Sequence, residues 1–132
     1  MKRLTKEDIR KTTGILNPVG HIIVAFKDDS TAAQAVAALR EIGFTEPDIL
    51  LYTAAEATPR LEERVRTASK AAGFGFEITL MRRYLAFAEK GAGWLIVYAP
   101  DDTAVDRIVA VARQFEALCA VRYHRLVNED LI

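Results

Sequence analysis

GHIIVAFKDDSTAAQAVAALREIGF, from Gly20 to Phe44, is followed 73 positions later by GWLIVYAPDDTAVDRIVAVARQFEA, from Gly93 to Ala117. Eight of the 25 aligned pairs are identical, among them Gly20/Gly93, Ile23/Ile96, Val24/Val97, Asp28/Asp101 and Asp29/Asp102. Each copy reads as an apolar strand, an acidic turn and an amphipathic helix. His21 to Phe26 and Trp94 to Ala99 are continuously apolar or aromatic, the pattern of central strands buried on both faces. Ala32, Ala35, Val36, Leu39 and Ile42 then recur at helical spacing, and Val105, Ile108, Val109, Ala112 and Phe115 repeat the stripe.

Thr31 with Gln34 and Thr103 with Asp106 read as capping boxes, with Asp29 and Asp102 at the positive helix ends. Gly43 suits a left-handed helix exit; Glu116 occupies its place in the second copy, so that exit is expected to differ. Each unit returns to a strand, Asp48 to Thr53 and Cys119 to His124. The alternation of Cys119, Val121 and Tyr123 with Ala120, Arg122 and His124 predicts an edge strand with one wet face. Between the units lies a helical insert. Pro59 after Thr58 marks the start of one helix, Gly73-Phe74-Gly75 interrupts it, and a second is expected over Ile78 to Lys90.

The order β-α-β, insert, β-α-β predicts an α/β fold of one domain: a four-stranded antiparallel ferredoxin-like sheet in order 4-1-3-2. Residues 1–19 would form a peripheral arm, 20–53 and 93–127 the two units, and 56–90 the insert. A parallel doubly wound sheet is the alternative. Ile22, Val24, Phe26, Leu95 and Val97 form one alternating set, and Ile23, Ala25, Trp94, Ile96 and Tyr98 the other. Both sheet faces are therefore apolar. The repeated helices cover one, leaving the other to the insert, to a homodimer partner or to a small molecule.

Eighteen Lys and Arg balance eighteen Asp and Glu, so no global field favours nucleic acid or an anionic membrane. The longest apolar run, Trp94 to Ala99, is too short to span a bilayer, and the first residues lack a signal-peptide core. A cytoplasmic setting is the expectation, with lone Cys119 a buried thiol.

Asp28-Asp29 with Asp101-Asp102 offers oxygen ligands for a metal, but helix capping explains the same residues, and no metal or other cofactor is expected. His21 and His124 sit in no Cys/His cluster. Cys119 and His124 lie five positions apart on one strand, facing opposite sides at about 17 Å, too far for a nucleophile and its base. The glycines lack nucleotide-binding spacing. Lys70, Arg82, Arg83 and Lys90 beside Phe74, Phe76 and Tyr84 could meet RNA, against which stand neutral net charge and interleaved glutamates. Two small groups remain as anion-binding candidates, Arg82 with Arg83, and Arg122, His124 and Arg125.

IIVAFKDDSTAAQAVAALREIGF followed by PDILLY resembles the start of the general-stress-protein 17M-like domains, over Ile22 to Tyr52. The glycine-rich hydrophobic segment common in that family is replaced here by the charged helices of residues 58–90. The resemblance implies a small stress-associated domain and carries over no active-site residue. The function expected is a noncatalytic interaction or regulatory domain that self-associates as a homodimer, with binding of a small anionic metabolite or nucleotide as the alternative.

Overall fold

A computed structural model describes residues 2–11, 16–69, 75–125 and 127–132. The readings placed on Lys70, Gly73, Phe74 and the Phe76 side chain lie outside the described residues. In chain order the elements are α1 (Lys6–Lys11), β1 (His21–Phe26), α2 (Asp29–Glu41), a 3-10 turn (Glu46–Asp48), β2 (Ile49–Tyr52), α3 (Ala54–Ser69), α4 (Gly75–Glu89), β3 (Gly93–Tyr98), α5 (Asp102–Gln114), β4 (Cys119–Tyr123) and β5 (Asn128–Asp130). Strands and helices alternate in a mixed α/β fold. The sheet runs β2-β3-β1-β4-β5 with every neighbour antiparallel, which removes the parallel doubly wound alternative.

The two long strands sit at the centre, paired Ile22 to Val97, Ile23 to Ile96 and Val24 to Leu95. Their alternating sets separate as the pattern requires. Ile22, Val24, Phe26, Leu95 and Val97 join Ala35, Leu39, Val105 and Ile108 beneath α2 and α5. Ile23, Ala25, Trp94 and Ile96 join Ala57, Leu61, Met81, Tyr84 and Ala88 beneath α3 and α4. The insert therefore covers the second sheet face, the first of the three coverings set out for it. Within the N-terminal segment expected as a peripheral arm, Ile9 and Leu16 are buried in the insert-side core.

The caps differ from those expected. The N-caps of α2 and α5 are Asp28 and Asp101, whose carboxylates accept from Thr31 N at 2.7 Å and Ala104 N at 2.8 Å. Asp29 instead reaches the first amide of α3, accepting from Ala54 N at 2.8 Å. Helix α3 starts five residues before Pro59, where Thr53 and Glu56 form a reciprocal capping box. That reciprocal bonding outweighs the start signal of Pro59, which sits inside the helix. The exits of α2 and α5 are equivalent, contrary to expectation. Gly43 N to Arg40 O and Phe44 N to Leu39 O recur as Glu116 N to Arg113 O and Ala117 N to Ala112 O, with Glu116 at φ 53°.

Strand β4 is not an edge. The chain turns back after Tyr123, and β5 pairs Asn128 with Tyr123 and Asp130 with Val121. Nothing in Asn-Glu-Asp signals a strand; the hairpin return imposes it.

Candidate functional site

The residues expected to bind an anion are separated by the sheet. Arg82 and Arg83 lie exposed on α4, on the insert side, where Arg83 stacks over the Phe87 ring at 5.5 Å. Arg122 and His124 alternate with buried Val121 and Tyr123, and Arg122 lies opposite Ile22 in the layer of α2 and α5. Arg122 donates to Asp102 at 3.2 Å, and His124 Nε2 lies 3.0 Å from Glu129 Oε1. Each thus has an acidic neighbour already in place. Arg125 is exposed beside them.

The two acidic turns do not converge. Since β1 and β3 are antiparallel, Phe26 lies beside Gly93 and His21 beside Tyr98, which sends Asp28-Asp29 and Asp101-Asp102 to opposite ends of the sheet. Among the described residues no group of three His, Cys, Asp or Glu side chains is placed to hold a metal ion. Among them, too, no helix is long and apolar enough to cross a membrane.

His21 is buried and structural. Its Nε2 accepts from Leu4 N at 3.1 Å while Nδ1 lies 3.0 Å from the Val19 carbonyl, a pair that fits the neutral ring with its proton on Nδ1. Burial pulls its pKa down, opposed by the Val19 carbonyl. Cys119 is buried too, and burial pushes its thiol up to about 11.

The strongest site lies elsewhere, between the insert and the sheet. A cavity of about 510 Å³ is floored by Ile23, Tyr52, Trp94 and Ile96 of the sheet and walled by Ala57, Leu61 and Arg64 of α3, Ile9 and Leu16 of the N-terminal segment, and Tyr84 of α4. This volume falls in the range of ligand pockets, about 300–1,000 Å³. Exposed Arg10, Pro59, Arg60, Glu63 and Thr67 form its rim.

Two polar atoms in this apolar setting lack a hydrogen-bond partner among the described residues, the Tyr52 hydroxyl and Trp94 Nε1. Tyr52 is 5% exposed and Trp94 4%, and buried polar atoms of this kind are ordinarily hydrogen-bonded. Burial raises the Tyr52 pKa, with the cations Arg60 and Arg64 acting in the opposite direction, so the phenol stays protonated at neutral pH. Trp94 meets Tyr84 edge to face at 5.2 Å, and Tyr84 is pinned by a 2.7 Å bond to the Tyr123 hydroxyl. Lys6 Nζ stands 4.5 Å above the Tyr52 ring and Arg60 Cζ 5.8 Å from its centre.

In the sequence, Trp94 and Tyr52 are legible only as strand residues. The usable signal was on α3, where Arg60 and Arg64 are one turn apart on the side of Ala57, Leu61 and Ala68. Compared with known families, curated proteins and solved structures, the chain matches no family model, no curated protein and no solved structure.

Proposed function

We propose that this chain is a noncatalytic ligand-binding domain of a regulatory kind, with its site between the helical insert and the sheet. The observation that carries the reading is the pair of buried, unpartnered polar atoms, Tyr52 Oη and Trp94 Nε1, on residues that floor an apolar cavity. Leaving a buried donor unsatisfied costs about 1–3 kcal/mol, and a ligand carrying acceptors offsets that cost.

Binding is favoured over catalysis by the groups present. The thiol of Cys119 is held protonated, the Tyr84 hydroxyl is engaged by Tyr123, and the carboxylate on the rim, Glu63, is paired with Arg66. The duplicated units and the strand order support a ferredoxin-like arrangement, in which the insert supplies a second helical layer and the cavity lies under it. A stress-associated role, as the likeness of Ile22–Tyr52 implies, and a cytoplasmic setting belong to the same proposal.

Trp94 is the sole tryptophan, so its emission reports on the cavity directly. The test is a titration with three probes of equal length, decan-1-ol, decanoate and decylamine, joined to native mass spectrometry. At least one probe is expected to shift Trp94 emission, saturating at one molecule per chain, and Ala57→Phe, which fills the cavity, is expected to abolish the response. Absence of a saturable change with all three refutes the assignment.

A further inference from the structure

Resting on the cavity assignment, we propose that the ligand is an anion with an apolar body, whose carboxylate is taken by Arg60, Arg64 and Tyr52 while its body lies against Trp94 and Tyr84.

The nitrogen-bearing side chains that line the cavity are donors without acceptor capacity, and the hydroxyls of Tyr52 and Thr67 can donate as well. Indole N–H and guanidinium groups only donate, and the Tyr52 phenol is a donor in its protonated form. The acceptor-only side chain on the rim, Glu63, is committed to Arg66. A ligand that satisfies this wall must bring acceptor oxygens.

The charge points the same way. Three arginines and one glutamate line the cavity, in a chain whose total charge is balanced. Arg10 is held by Glu7, its Nε lying 3.0 Å from Oε2, whereas Arg60 has no carboxylate partner among the described residues. Arg64 is half-buried and donates to the Ile9 carbonyl at 3.2 Å. Burial lowers its pKa, and the like charge of Arg60 lowers it further. An anion between the two guanidinium groups relieves that repulsion. Arg60 also stands over the Tyr52 ring, which sets a cation against the residue whose buried hydroxyl lacks a partner.

The experiment ranks the three probes on the full chain by Trp94 emission. Decanoate is expected to bind at least about tenfold tighter than decan-1-ol, with decylamine weakest. Arg60→Ala is expected to weaken decanoate about tenfold while leaving decan-1-ol within about twofold. Tyr52→Phe should weaken decanoate severalfold with its ring still in place. Arg60 is exposed and Arg113→Ala, on the far side of the sheet, serves as a control for loss of a surface arginine; thermal melting confirms that each variant is folded. Equal affinity for decanoate and decan-1-ol, tighter binding of decylamine, or an Arg60→Ala effect common to all three overturns the anion inference and leaves the cavity assignment standing. Failure of every probe to bind overturns both.

Discussion

Replacing Glu116 by glycine is expected to stabilise the protein. Glu116 is at φ 53°, in the left-handed region, and is the one non-glycine residue with positive φ among the described residues. That conformation costs an L-residue about 1–2 kcal/mol, from the approach of Cβ to the following carbonyl. Glycine escapes this cost but brings extra freedom to the unfolded chain, worth about 0.4–1 kcal/mol. The difference is a net gain of about 0.5–1 kcal/mol. Glu116 is exposed, and its carboxylate stands at the negative end of α5, so its removal adds to the gain. The duplicated position supplies the reverse experiment. Gly43 has φ +108° with nothing within 4 Å of an added Cβ, so Gly43→Ala carries the backbone cost without a clash, about 1 kcal/mol of destabilisation. Urea unfolding followed by Trp94 emission measures both variants, and melting temperatures should move by roughly 2–4 °C in opposite directions. If Glu116→Gly destabilises, or if Gly43→Ala is neutral, strain at the helix exits is not what distinguishes the two copies.

Gly93→Ala should be the more damaging glycine substitution, because its Cβ would stand 2.8 Å from Ala32 Cβ and 2.9 Å from both Asp28 O and Asp29 Cα; a loss of about 3 kcal/mol in urea unfolding is expected. Cys119 should resist a thiol reagent at pH 8 until denaturant is added, since burial holds its pKa near 11; stoichiometric labelling of the folded chain would contradict this. For His21 the folded pKa lies below the unfolded value, so the unfolded chain takes up the proton first. Stability should therefore fall as pH drops below about 6.5 and level off beneath the folded pKa, and His21→Gln should flatten that part of a pH–stability curve. Asp28, Asp48 and Glu56 have lowered pKa values, chiefly through hydrogen bonds to Thr31, Thr45 and Thr53, and for Asp48 despite its partial burial. Their contribution is complete above about pH 5 and should be lost in a second, more acidic phase.

The repeated stretches made most of the sheet legible. Buried strands leave apolar residues on both alternating sets, and those sets fell on the two faces as their spacing requires. The helix starts were legible less well, because two adjacent aspartates compete for one cap and only the backbone angles decide between them. Asp28 and Asp101 take it, freeing Asp29 for α3 and Asp102 for Arg122. Strand β5 left no signal, since Asn-Glu-Asp is paired by a hairpin and not by side-chain preference. Arg82 with Arg83, and Arg122, His124 and Arg125, stand out in the sequence because their charges lie near one another along the chain. Neighbours contributed by other segments, Asp102 for Arg122 and Glu129 for His124, were invisible to that criterion.

The glycines that begin the two copies show where sequence ends and tertiary structure begins. Gly20 and Gly93 align as one identity, yet Gly20 has φ 82° and needs glycine for its backbone, whereas Gly93 needs it because α2 lies against β3. The sequence by itself determined the duplication, the alternation that buries both sheet faces and the helices that cover one of them, because these follow from periodicities along the chain. Only the tertiary structure decided that the insert covers the other face and leaves a cavity there. Tyr52, Arg60 and Trp94 come from three different elements, and their common corner depends on β2 pairing beside β3 and α3 folding back over both. Packing between distant segments makes that site, and no local pattern encodes it.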